Sequence, residues 1–190
     1  MRAKIILVAV FICVFGISTI CGSESRNDVV DFISSVYSPR QFTSGAISDE
    51  VIEQILFAGH KAPSARNLQP WHFTVVRNKV VIDQILQNVN DGEVLIVLSC
   101  PPLEQNHFGE FDNGLAMQNM FLTTQSLGLG ARIYGIPVPR INETMKDTLG
   151  IPEHLRAIMV LRIGHLAPGL DATTGASPRA NIEDKVNYVN

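Results

Sequence analysis

The sequence predicts a single layered domain of the α/β or α+β class, and three observations carry that reading. The run of β-branched residues and leucine from Val94 to Ser99 has the continuous apolar character of a strand in the interior of a sheet, and Ala157 to Ile163 reads as a further strand. Around them apolar residues recur at helical spacing, so strand-like and helix-like segments alternate along the chain. With 190 residues, 46% of them hydrophobic and 17% charged, the chain is long enough to bury a real core and too apolar to stay disordered.

The first segment is not part of that fold. Arg2 and Lys4 precede an apolar run from Ile5 to about Ile20, and Cys21, Gly22 and Ser23 follow, which is the layout of a secretory signal. The run is long for a cleaved peptide and short for a membrane span, so residues 1–23 are expected to be a signal peptide or an N-terminal membrane anchor. Cys21 raises lipidation, although the bulky Ile20 stands before it where a small residue is usual. The folded domain is expected over residues 24–190, exported and extracytoplasmic or membrane-anchored.

Val29, Phe32, Ile33 and Val36 share a helical spacing, and that first helix is expected to stop before Ser38-Pro39. Ser48 can cap a second helix with Asp49 and Glu50 in its first turn and Ile52, Ile55, Leu56 and Gly59 on its apolar face. Pro63 to Trp71 carries two prolines and short polar side chains, so it reads as a loop, and His72 to Val76 reads as a strand. Ile82, Ile85, Leu86 and Val89 mark a third, short helix, and Pro101-Pro102 ends the strand that begins at Val94.

From Phe111 to Leu127 the apolar residues cover most of the helical circumference, which predicts a buried central helix terminated by Gly128 and Gly130. A strand over residues 131–134, a helix over 141–149 and the strand from Ala157 follow, and residues 181–188 read as extended or weakly helical.

A net charge of −3 and the lack of a basic cluster interleaved with aromatics exclude nucleic acid as an expected partner. Cys13 and Cys21 lie in the N-terminal run, which leaves Cys100 alone in the folded part and predicts no disulfide framework and no metal site. His60, His72, His107, His154 and His165 show no mutual spacing that suggests a triad, and Cys100 reads as packing.

Three segments taken in order resemble the nitroreductase family of FMN proteins. Pro63-Ser64-Ala65-Arg66-Asn67-Leu68-Gln69-Pro70-Trp71-His72-Phe73 is similar to the family's P-S-x-x-N-x-Q-P-W-x-F loop. The central helix with Gln118-Asn119-Met120 and Leu127-Gly128-Leu129-Gly130, leading to Ile133-Tyr134-Gly135, is the second segment, and Ser177-Pro178-Arg179 is the third.

The resemblance implies an α+β, three-layer α/β/α fold with a five-stranded mixed sheet, an intertwined homodimer, and FMN in two interface clefts. Carried over by position, Pro63, Ser64, Ala65, Asn67 and Gln69 line the flavin from one subunit, and the turn at Tyr134 and Gly135 brings backbone N–H groups near its N5. Ser38 and Arg40 match the family's N-terminal phosphate-binding motif together with Phe42, whereas Val36 stands where that motif has an arginine.

Asp171-Ala172-Thr173-Thr174-Gly175-Ala176-Ser177 reads by composition as an exposed loop. It also resembles the flavinylation motif of exported electron-transfer proteins, in which the last hydroxyl residue, here Ser177, takes FMN through a phosphodiester. The family commonly has a K-x-R pair facing the phosphate, and Ser177 and Arg179 occupy those positions.

The resemblance therefore implies an oxidoreductase that reduces nitro compounds, quinones or similar small-molecule acceptors, with FMN linked through Ser177 by an FMN transferase. Electrons enter and leave at the flavin, so no catalytic side chain is expected. A membrane redox donor suits an exported chain, and a flavin relay subunit with no small substrate is the alternative. The stretch between Trp71 and Val94 is shorter than in larger members, so a more open active site is expected.

Overall fold

The computed structural model describes residues 27–167 and 178–189. The segment expected to act in targeting, with Cys21, and the Asp171–Ser177 motif, with the expected acceptor Ser177, lie outside the described residues.

The helices begin where side chains can satisfy their free N–H groups. Asn27 accepts from the backbone N–H groups of Val29 and Val30 to open α1 (Asp28–Ser35). Ser48 Oγ accepts from Val51 N to open α2 (Asp49–His60), and Asn78 does the same for α3 (Lys79–Ile85). The remaining elements are β1 (His72–Val76), β2 (Val94–Cys100), α4 (Gly109–Ser126), β3 (Gly130–Tyr134), the short helix α5 (Val138–Arg140) and β4 (Arg156–Gly164).

The sheet order is β1-β2-β4-β3, and each strand runs antiparallel to its neighbours. β2 is buried along its whole length, with alternate side chains serving two cores. Val94, Ile96 and Leu98 meet Ile52 and Ile55 of α2 and Met117 and Met120 of α4 on one face. Leu95 and Val97 meet Ile82 and Ile85 of α3, with Ile141 and Met145, on the other. Three layers result, as expected.

The strand count differs from the expected five in a mixed sheet. Four strands form among the described residues, because residues 178–189 carry only one 3-10 turn (Ile182–Lys185), stay exposed, and add no strand.

Three helices also depart from expectation. Residues 141–149 do not continue α5 as an α-helix but widen into a π-turn, Ile141–Met145. Asn142 ties that turn to β4, donating to Ala157 O (2.9 Å) and accepting from Ala157 N (2.8 Å) beside a register shift between β2 and β4.

α4 buries Asp112, Asn113 and Thr124 while leaving Phe111 66% exposed, so its apolar circumference is not uniformly covered in one chain. Gly128 ends it at φ +77°, a conformation that favours glycine. α1 buries none of its residues, and its expected apolar face is open.

α2 and α4 pack closely enough to require Gly59, where a Cβ would sit 2.7 Å from Met120 Cγ.

Candidate functional site

The loop after α2 holds its shape against local preference. Arg66 (φ 54°), Asn67 (φ 56°) and Gln69 (φ 48°) all adopt the left-handed region without being glycine. Such residues cost on the order of 1–3 kcal/mol each and persist only where the surroundings enforce them.

Ser64 does much of the enforcing from within. Its carbonyl accepts from Asn67 N (3.0 Å) and its hydroxyl accepts from Gln69 N (3.0 Å). Gln69 Nε2 donates to Asn67 O at 3.3 Å. From outside, Asp112 of α4 accepts from Ala65 N through Oδ1 at 3.0 Å and pins the loop to the start of the central helix.

Asp112 is 1% exposed, and its Oδ2 has no hydrogen-bond partner among the described residues. With Pro63, Ser64, Ala65, Phe108 and Phe111 it lines a cleft of about 360 Å³. Ser64 and Asp112 are the polar side chains of an otherwise apolar wall, which suits a flat and largely apolar group.

Gln69 faces a second, shallower groove of about 540 Å³ with His60, Trp71 and Phe73. There Trp71 Nε1 donates to His60 Nδ1 at 3.1 Å, so the neutral imidazole carries its proton on Nε2.

A second group of expected site residues sits on different elements. Ser38 and Arg40 are exposed on the arm before α2. Between them the buried Pro39 accepts from Arg132 Nη1 of β3 at 3.3 Å. Farther along the arm, Thr43 N donates to His165 O (2.8 Å), and Asn90 Nδ2 donates to Phe42 O (2.8 Å).

Arg162 of β4 lies 4.3 Å from the centroid of the Phe42 ring, is ion-paired with Glu93, and donates to Asn88 O at 2.9 Å. Burial works against its charge, but hydrogen bonds to Glu93 and Tyr134 and attraction to both groups outweigh that and hold its pKa above the ordinary value.

Tyr134 ends β3, and its ring lies 5.3 Å from the Arg132 guanidinium. Gly135 is exposed, and the space within 4 Å of where a Cβ would sit is open. A further cleft of about 360 Å³ lies close by, between Glu110 and Gly114 of α4 and Val138 and Arg156. α4 therefore has one cleft on each side of its first turns.

The structure gathers the expected residues into two sets. Pro63, Ser64 and Ala65 lie against α4, with Asn67 and Gln69 following in the same loop, while Ser38 and Arg40 flank the Pro39 that is tied to β3, which leads through Tyr134 to Gly135. Arg179 is exposed in the segment beyond residues 168–177.

Asp112, Phe108 and Phe111 were not singled out as site residues from the sequence. An acid in a first helical turn reads as a dipole complement, and a phenylalanine at that spacing reads as core.

A nitroreductase family model matches residues 33–94 and 86–165. A protein of Methanothermobacter thermautotrophicus, described as a candidate NADH dehydrogenase/NAD(P)H nitroreductase, is 33% identical over 155 residues, covering 77% of this chain and 81% of its own. A candidate nitroreductase from Desulfovibrio desulfuricans, solved in complex with FMN, superposes with a TM-score of 0.72 at 28% identity over 87% of this chain and 99% of that one. A nitroreductase from Desulfitobacterium hafniense with bound FMN gives a TM-score of 0.71 at 25% identity, over 87% of this chain and all of that one (100%).

Proposed function

Because the chain belongs to the nitroreductase family of oxidoreductases, we propose that it is an FMN-dependent reductase of nitro compounds, quinones or similar acceptors, working as a homodimer. The observation that carries this reading is the strained loop from Pro63 to Gln69, held by Asp112 over an apolar cleft. Strain of this kind is retained where a ligand needs the backbone in one shape.

The residues fit the group. The apolar wall suits an isoalloxazine ring, the Asp112 oxygen without a partner among the described residues marks an unsatisfied polar spot, and Gly135 offers backbone with no side chain in the way. When bound, FMN supplies the redox chemistry at its N5.

The chain's part is to bind, orient and exclude water. Ser38, Arg40 and Arg179 offer donors and charge for a phosphate, and Pro63 to Ala65 with Phe108 form the dry side of the cleft. In the dimer the loop of one subunit and the arm and β3 turn of its partner complete each cleft, which accounts for the two separate sets within one chain.

Export rests on the N-terminal segment, and covalent attachment rests on the Asp171–Ser177 motif two positions before Arg179. A phosphodiester at Ser177 removes roughly one negative charge from the phosphate, since the ionisation near pH 6 is lost. Fewer cations are then needed, in keeping with Val36 and Ser177 standing where the family has basic residues.

Relatives are named for NADH or NAD(P)H, whereas an exported chain draws on a membrane donor. Denaturing-gel fluorescence and intact mass after co-expression with a flavin transferase test the linkage. FMN that separates on denaturation, or a Ser177→Ala chain that still carries it covalently, overturns it. Steady-state turnover with nitroaromatics and quinones supports the reductase, and flavin reduction without turnover indicates a relay.

A further inference from the structure

A carboxylate at the first turns of α4 is withdrawn from water yet only half used. Asp112 is 1% exposed, its Oδ1 accepts from Ala65 N at 3.0 Å, and its Oδ2 meets no donor among the described residues. The neighbouring acid Glu110 differs, being half-exposed and paired with Arg156.

Burying a carboxylate with so little compensation is unfavourable. The helix terminus offsets only part of that, so a role beyond core packing is indicated.

The contact to Ala65 supplies one. The other hydrogen bonds described in the loop run between its own residues, Ser64, Ala65, Asn67, Leu68 and Gln69, and fix its shape but not its position. Asp112 ties that shape to α4, at the residue just before the left-handed pair Arg66 and Asn67.

We propose that Asp112 is a positioning residue for the flavin loop and that its buried charge also makes the bound flavin harder to reduce. This rests on the FMN reading above. Adding electrons to a flavin places negative charge on the ring, and a fixed, poorly screened carboxylate behind Ala65 opposes it. The same carboxylate orients the backbone that the ring rests on.

The two parts separate by substitution. Asp112→Asn keeps an oxygen acceptor for Ala65 N and removes the charge, whereas Asp112→Ala removes both.

The experiment uses the full chain expressed without a flavin transferase and reconstituted with FMN. It measures FMN affinity by fluorescence titration, midpoint potential by spectroelectrochemistry, and thermal unfolding of the FMN-free chain. Asp112→Asn is expected to bind FMN within a few-fold of the unsubstituted chain with a more positive midpoint potential. Asp112→Ala is expected to lose about tenfold or more in affinity, as for one charge-assisted hydrogen bond.

An Asn variant with an unchanged potential overturns the charge effect, and an Ala variant with unchanged affinity overturns the positioning. Should Asp112→Ala fail to fold, an Asn variant that loses affinity despite its retained acceptor refutes the positioning. An unsubstituted chain that takes up no FMN refutes the FMN reading itself, a result distinct from variants that bind FMN and behave alike.

Discussion

Glu93, just before β2, and Arg162 of β4 form an ion pair withdrawn from solvent, and the same guanidinium stacks 4.3 Å from the centroid of the Phe42 ring. The pair thus couples the sheet to the arm that carries Ser38 and Arg40. Asn90 reinforces the link by donating to Phe42 O while its own N–H donates to Glu93 Oε1 at 2.7 Å.

Removing one partner strands the other charge in the core. Glu93→Gln or Arg162→Met is expected to lower stability by about 3–5 kcal/mol in urea unfolding, because breaking a buried pair costs far more than the pair contributes. The double variant should lose less than the sum of the two. Additive losses would show that the pair does not act as a unit.

Gly59 allows the close approach of α2 and α4. Alanine there gains about 1 kcal/mol of helix propensity, but its Cβ would lie 2.7 Å from Met120 Cγ and 2.9 Å from Sδ. Overpacking of this kind costs about 1–3 kcal/mol, so Gly59→Ala is expected to lower the unfolding midpoint on balance. Met120→Ala added to it should recover part of that loss.

Much of this packing was legible in the sequence. The Ser48 cap, the face of Ile52, Ile55 and Gly59, and the buried run beginning at Val94 each follow from period and local chemistry, and the structure has them where expected.

Other features depend on pairings across the chain that no local pattern encodes. Glu93 and Arg162 are 69 residues apart, Asp112 reaches back 47 residues to Ala65, and the turn after α5 takes its shape from Asn142 bonding to Ala157. The left-handed backbone at Arg66, Asn67 and Gln69 was hidden for a related reason, since none is glycine and the conformation is imposed by Ser64 and Asp112.

Cys100 is fully buried, and burial pushes its thiol above the ordinary value of 9.0, outweighing the opposite pull of the Arg156 charge. A raised pKa means the folded state favours the protonated thiol. Its contribution is complete below pH 9.0 and is lost as pH rises from there through the folded value. At pH 8 a thiol reagent is expected to label Cys100 only after denaturation, in a chain with Cys13 and Cys21 replaced. Rapid labelling of the folded protein would contradict this.

Phe111 is 66% exposed and lines the cleft beside Pro63 and Ala65. Phe111→Ala should change stability by less than about 0.5 kcal/mol, as for an exposed position. Under the proposed function it should raise KM for planar aromatic acceptors by about tenfold, the loss expected for one aromatic contact. Steady-state kinetics alongside thermal unfolding check both, and a KM unchanged with intact stability removes Phe111 from the acceptor path.

The most direct measurement of the central claim is the visible spectrum of the purified protein after exposure to FMN and gel filtration, followed through reduction and addition of a nitroaromatic or quinone. The account predicts flavin absorption that elutes with the protein, bleaches on reduction and returns with the acceptor. A colourless protein that retains no FMN would contradict it.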